Sequence, residues 1–223
     1  MLVQGATGPI NLQDGVNPPL RQGRQGDVVV SELHGRFYEQ AYRGNVYFGG
    51  HTSLVALSAN TITLTATTTP ILGLYNPSSS NTNLVLLQAM LNVVSSNLTS
   101  GAGPGVFVWA TSVGNAAVST GSTPFNSRTL VAAGSQGRFF AGATALTGLT
   151  NNLAIVAGSA LPSPSGLTYT TLASTALLPS YSGVENFDGS IIIPPGGVIA
   201  LLNTTSSTVF SAAGRLTWEE VPV

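Results

Sequence analysis

From Asn45 onward the apolar residues favour short runs and alternation with a period of two, the signature of strands with one face buried. Val46–Phe48, Ser53–Ala59 and Thr61–Thr67 are short and rich in β-branched residues, and Thr61-Ile62-Thr63-Leu64-Thr65 alternates polar with apolar, so all three are predicted as strands. Pro70–Tyr75 leads to the turn Asn76-Pro77-Ser78-Ser79-Ser80-Asn81. The apolar run Leu84–Val94 is long enough for a helix, but the flanking turns and Val93-Val94 predict a strand. Further strands are predicted at Val106–Ala110, Leu153–Ala157, Ile191–Ile193, Val198–Leu202 and Thr208–Trp218. In the last of these, Phe210, Ala212, Leu216 and Trp218 share one face, opposite Ser211, Arg215, Thr217 and Glu219. Residues 101–105, 114–127, 142–151 and 161–166 read as loops, and Pro194-Pro195-Gly196-Gly197 as a chain reversal.

About eight to ten strands at this spacing predict an all-β fold, an antiparallel β-sandwich of jelly-roll type. An immunoglobulin-like sandwich is the alternative, although the chain is long for one such domain. No fixed-period repeat points to a propeller or solenoid.

The first 44 residues differ from the rest. Residues 1–26 carry Gly, Pro, Gln and Asn with few apolar side chains, and Pro9, Pro18 and Pro19 favour extended chain. Asp27–Leu33 is predicted as a strand. Residues 36–43 (RFYEQAYR) form the one short helix, stopped by Gly44 just past its C-cap, with Glu39 and Arg43 in the favourable order four apart. The predicted organisation is an extended N-terminal arm with one helix over 1–44 and a β-sandwich over 45–223.

Charge sharpens that division. Charged residues are 7% of the chain, against about 25% in ordinary soluble domains. Eight of them precede Gly44, and none occurs from Gly44 to Ser127. So neutral a body predicts a surface covered by partners. All the basic residues are arginine, whose forked guanidinium suits fixed protein contacts, although genome base composition explains the bias equally well. Arg21, Arg24, Arg36, Phe37, Tyr38 and Arg43 are the candidate protein–protein contacts, with local core as the competing reading for Phe37 and Tyr38. A net charge of −1 argues against general attraction to nucleic acid or anionic membrane. No apolar run approaches the roughly 20 residues of a membrane helix, and the start MLVQGATGPINLQDG does not read as a signal peptide.

Catalytic constellations are sparse. Without cysteine there are no disulfides, thiolate zinc sites or cysteine nucleophiles. The two histidines are His34, in the charged segment, and His51, which follows two glycines in a predicted turn and reads as solvated. No nucleophile elbow, phosphate loop or dinucleotide fingerprint occurs, and no cofactor is expected. The carboxylate pairs are Glu185 with Asp188, in a turn, and Glu219 with Glu220, which a strand would point to opposite faces. Three oxygen ligands at Glu185, Asn186 and Asp188 are too few for calcium. Trp109 and Trp218 read as core, while Tyr169 and Tyr181 are candidates for exposure. The chain is therefore expected not to be an enzyme.

Three segments carry a resemblance: ELHGRFYEQAYRGNVYF (Glu32–Phe48), GLYNPSSSNTNLVLL (Gly73–Leu87) and the tail IIIPPGGVIALLNTTSSTVFSAAGRLTWEEVPV from Ile191. Together they cover about a third of the chain, and they resemble a family of structural proteins of tailed bacteriophages. The resemblance implies a virion protein made in the bacterial cytoplasm. Its implied role is a capsid decoration (cement) protein or the base of a head fibre, often a trimer on the capsid lattice. Its partners would be the major capsid protein and copies of itself, with no nucleic acid or membrane. The alternatives are a tail, baseplate or fibre component, or a receptor- or glycan-binding module.

Overall fold

The computed structural model describes residues 5–6, 20–21, 36–95, 101–102, 106–118, 121–142, 144–151, 155–158, 168–169 and 180–223. The predicted strand Asp27–Leu33, the loop 161–166, His34 and Arg24 lie outside the described residues. The chain divides into two units, Met1–Glu39 and Gln40–Val223. In the first, β1 (Gly5–Ala6) and β2 (Leu20–Arg21) pair in parallel. The one described helix, α1, spans Tyr38–Arg43. Its end is a Schellman motif: the Gly44 amide donates to the Ala41 carbonyl at 3.1 Å and the Asn45 amide to the Gln40 carbonyl at 3.0 Å. Gly44 takes the left-handed φ of 82° that this stop requires.

The second unit is built from β3 (Val46–Gly50), β4 (Val55–Leu57), β5 (Leu72–Tyr75), β6 (Thr82–Ser95), β7 (Gly101–Ala102), β8 (Phe107–Ser112), β9 (Phe125–Asn126), β10 (Arg138–Ala141), β11 (Ile155–Gly158), β12 (Thr168–Tyr169), β13 (Ser180–Asn186), β14 (Ile192–Ile193), β15 (Val198–Asn203) and β16 (Ser207–Pro222). The larger sheet runs β13-β6-β16-β3-β9, with β14 also on β6 and β4 on β16. The smaller runs β10-β5-β15-β8-β11, and β7 pairs with β12 apart from both.

Strand order decides the architecture. Along the chain, β3, β5, β6, β8, β11, β13, β15 and β16 are nested as antiparallel pairs, first with last inward: β3 with β16, β5 with β15, β6 with β13 and β8 with β11. Successive pairs fall in alternate sheets, which is a long hairpin rolled up on itself. The body is a jelly roll, an all-β antiparallel sandwich as the alternation predicts.

The main core fills the space between the sheets. Leu84, Leu86, Leu91, Phe210, Leu216 and Trp218 from the larger sheet meet Leu72, Leu74, Phe107, Trp109, Phe139 and Leu201 from the smaller. Each such side chain contributes about 1.5–3 kcal/mol when fully buried. A second cluster covers the opposite face of the smaller sheet, where Leu64, Val118, Leu146 and Leu149 pack on Tyr75, Phe140, Ala200 and Leu202. That layer explains why every position of β15, on both of its faces, is buried. It also corrects the reading of 142–151 as simple polar loop: its two leucines are core.

Three further corrections concern local structure. Thr61–Thr67 is not a strand. Thr61 Oγ1 donates to the Thr63 carbonyl at 3.0 Å and the Thr65 amide to Thr68 Oγ1 at 2.9 Å, so hydroxyls close turns in place of a ladder. Only Leu64 of its apolar residues is buried, and Ile62 is 43% exposed. Gly49 and Gly50 are not a turn; they are the last residues of β3. At Gly49 a Cβ would stand 2.3 Å from Phe139 Cγ, so glycine is what lets the two sheets approach there. Finally, β10 and β13 are strands that the pattern did not predict.

Candidate interaction surface

The structure uses most of its functional-looking side chains internally. Trp109 and Trp218 are fully buried, as their strands predict. Trp109 Nε1 donates to Glu185 Oε2 at 2.6 Å, and Phe187 meets the Trp109 ring edge-on at 5.4 Å. Glu185 thus reaches inward from β13 and ties it to β8 in the opposite sheet. Burial pushes its carboxyl pKa up, with the indole hydrogen bond pulling the other way. Asp188 is exposed at the following turn, with φ 53°.

Glu219 and Glu220 point to opposite faces. Glu220 is buried, and its carboxylate accepts from Ser135 Oγ at 2.6 Å, the Gln136 amide at 3.0 Å, the Gly137 amide at 3.3 Å and Trp218 Nε1 at 3.4 Å. It pins the 135–137 segment to the end of β16. Glu219 lies on the outer side, its pKa raised by partial burial. Among the described residues no three His, Asp or Glu side chains gather as a metal site.

His51 is not solvated, contrary to its reading as a turn residue. Gly214 donates its amide to Nδ1 at 3.0 Å, and the His51 amide donates to the Gly214 carbonyl at 3.0 Å. The ring therefore caps the β3–β16 ladder, with Nδ1 also 3.2 Å from the Gly214 carbonyl. Burial pushes its pKa down, against the weaker pull of the Gly214 and Ile71 carbonyls. Beside it opens a cavity of about 290 Å³, lined among others by Thr52, Ser53, Ser122, Thr123 and Phe125. Its lining carries hydroxyls and no carboxylate or arginine.

The larger sheet's outer face and its rim carry several exposed apolar side chains. Phe48 stacks on Phe125 at 5.6 Å, and the Arg215 guanidinium lies 5.5 Å from the Phe48 ring centre. Val184 is 53% and Ile192 57% exposed on the same sheet. Helix α1 buries none of its residues, and the Arg128 guanidinium lies over the Tyr42 ring at 5.0 Å.

No family model matches the chain, and no curated protein matches it. A solved structure of the Israeli acute paralysis virus, a full particle heated to 63 degrees, is similar at 13% identity over 100% of this chain and 83% of that one, with a TM-score of 0.24. An overlap that small carries no argument, and the jelly roll stands on its own strand order.

The sequence-predicted contact residues are placed as follows. Arg21 falls on β2, Arg36 and Phe37 on the turn before α1, and Tyr38 and Arg43 on α1 itself. Arg36 lies over the Phe37 ring at 5.5 Å, and Tyr38 is 44% exposed. Arg36, Phe37, Tyr38 and Arg43 are neighbours in sequence, and Arg24 lies outside the described residues. The pattern also misses β13, whose alternation of Ser, Tyr, Ser, Gly, Val, Glu and Asn holds too few apolar residues to register and whose burial alternates exposed with half-buried.

Proposed function

We propose that this chain is a non-catalytic structural protein of a virion, a decoration (cement) protein that binds the major capsid protein and copies of itself on a bacteriophage head. The fold hosts several functions, so the reading rests on the surface rather than on the topology alone. The carrying observation is that the body holds few charges, turns two of its four carboxylates inward, Glu185 to Trp109 and Glu220 to the 135–137 amides, and leaves Val184, Ile192 and Phe125 exposed outside. Such a surface gains by being covered. The resemblance of the three quoted segments to tailed-phage structural proteins supplies the particle.

In this reading residues 1–44 act as an arm. Arg21, Arg24, Arg36 and Arg43 pair with acidic groups on neighbouring subunits, Phe37 and Tyr38 anchor in apolar pockets, and three copies gather about a threefold axis. Interfaces of about 1,600 Å² would then lock capsomers together. Quantitative mass spectrometry of purified particles tests this. Hundreds of copies per particle are expected. A handful would move the chain to the tail, baseplate or a vertex fibre, and complete absence would end the virion reading.

A further inference from the structure

Among the described residues the edges of the two main sheets are guarded by cover, shortness or a register shift, with one long exception; β4 and β14, off the main path of the larger sheet, hold only three and two residues. An uncovered edge offers a row of amides and carbonyls to any passing strand, and natural proteins blunt it by cover, shortness, bulges, proline or charge. At one end of the smaller sheet, β10 is covered: Ser122 and Phe139 exchange backbone hydrogen bonds of 2.8 and 3.2 Å. At the other end, the β11 pairing is broken by a register shift between Val156 and Gly158. In the larger sheet, β9 is two residues long. The remaining edge, β13, pairs all seven of its residues with β6 in unbroken register, and among the described residues no strand pairs with its other side. It contains no proline, lysine or arginine, and its outward residues Ser180, Ser182, Val184 and Asn186 are exposed.

We infer that β13 is a self-association edge, which pairs antiparallel with β13 of a second copy about a twofold axis through Gly183. Sequence symmetry chooses the occupant and the register. A twofold axis perpendicular to the sheet keeps each side chain on its own face, so it must pass through a residue and not between two. Centred on Gly183, all seven residues find partners: Ser180 with Asn186, Tyr181 with Glu185, and Ser182 with Val184. No like charges oppose, and each Glu185 stands opposite a Tyr181. Moving the axis to Val184 leaves only five residues paired, and moving it to Glu185 sets two carboxylates against each other. The product is one continuous sheet through two jelly rolls, with the inner faces of both sandwiches in line. This pairing is read from the edge alone and does not depend on the virion reading.

The chain has no cysteine, so introduced thiols report only on the designed contact. The variant Ser182→Cys with Val184→Cys places a thiol of each copy opposite a thiol of the other, within disulfide range of an antiparallel pair. Under mild oxidation it should form a covalent dimer of twice the 22.7 kDa chain mass. Thr217→Cys, at mid-sheet on the outer face, should not. In sedimentation, Val184→Lys should weaken native dimerisation at least tenfold. A native chain that stays monomeric up to about 1 mM, or cross-linking no faster at 182 and 184 than at 217, would overturn the proposal. A virion location without this dimer would leave the proposed function standing, and the reverse result would leave the edge standing.

Discussion

Single residues carry the pH dependence of this body, and two of them pull in opposite directions. Glu185 has a folded-state pKa raised by burial, so the folded chain takes up its proton at a higher pH than the unfolded chain does. Its ionised form therefore costs stability above the folded pKa, and that cost is removed as pH falls to the ordinary glutamate range near 4.5. His51 has a lowered pKa, so the unfolded chain binds the proton first, and stability is lost as pH falls from the ordinary histidine range near 6.5. Glu185→Gln keeps an acceptor for Trp109 Nε1 and removes the desolvated charge. We expect it to raise the melting temperature at pH 7, with the gain shrinking to nothing below about pH 4, where glutamate is itself protonated. Parallel thermal melts of the two proteins across that range check this. An equal or lower melting temperature for the variant at pH 7 would mean that the charge, held by the indole, is worth more than its desolvation costs.

At the scale of elements, what was legible in the sequence was what one face of one strand decides alone. The last strand shows this: Phe210, Ala212, Leu216 and Trp218 are all buried, as alternation requires. The helix stop at Gly44 was equally legible, because it depends on one residue's backbone freedom. The failures have a different origin. In β10 the consecutive Phe139 and Phe140 enter different clusters, one on each face of the smaller sheet, so no period-two signal exists to be read. Thr61–Thr67 alternates correctly but has hydroxyls that close turns before any neighbour can pair with it. β13 turns Ser180, Ser182 and Asn186 outward with Val184 as the single apolar residue among them, so it is nearly silent in hydropathy, and its proposed role follows only from what lies beside it. The glycine pair at 49–50 was misread because a glycine that admits another sheet's side chain looks in sequence like one that makes a turn. Gly49→Ala puts a methyl group into the Phe139 ring, an overpacking that should cost about 1–3 kcal/mol. Phe139→Leu in the same chain should recover part of that loss. Urea titrations of the two single variants and the double variant measure the coupling, and strictly additive losses would mean that the sheets do not meet at this point.

The whole molecule poses the question of what its first residues are for, and the core gives the basis of an answer. Every residue of the two core clusters lies between Tyr47 and Trp218, and the rolled hairpin from β3 to β16 closes within the second unit. A body that holds its own core folds without help from elsewhere in the chain. Deleting residues 1–35 keeps α1 and its Gly44 stop intact, so that variant should unfold in one cooperative transition within about 3 °C of the full chain, a shift equivalent to roughly 1 kcal/mol at this size. If residues 1–44 serve as the proposed arm, the same variant, which lacks Arg21 and Arg24, binds particles more weakly while keeping its fold. Calorimetry and a binding assay on purified capsids, run on one preparation, read both consequences at once. An unchanged melt with unchanged binding would shift the docking role from the arm to the outer sheet and the β13 edge. A lost or broadened transition would show that the arm completes the jelly roll instead of reaching out from it.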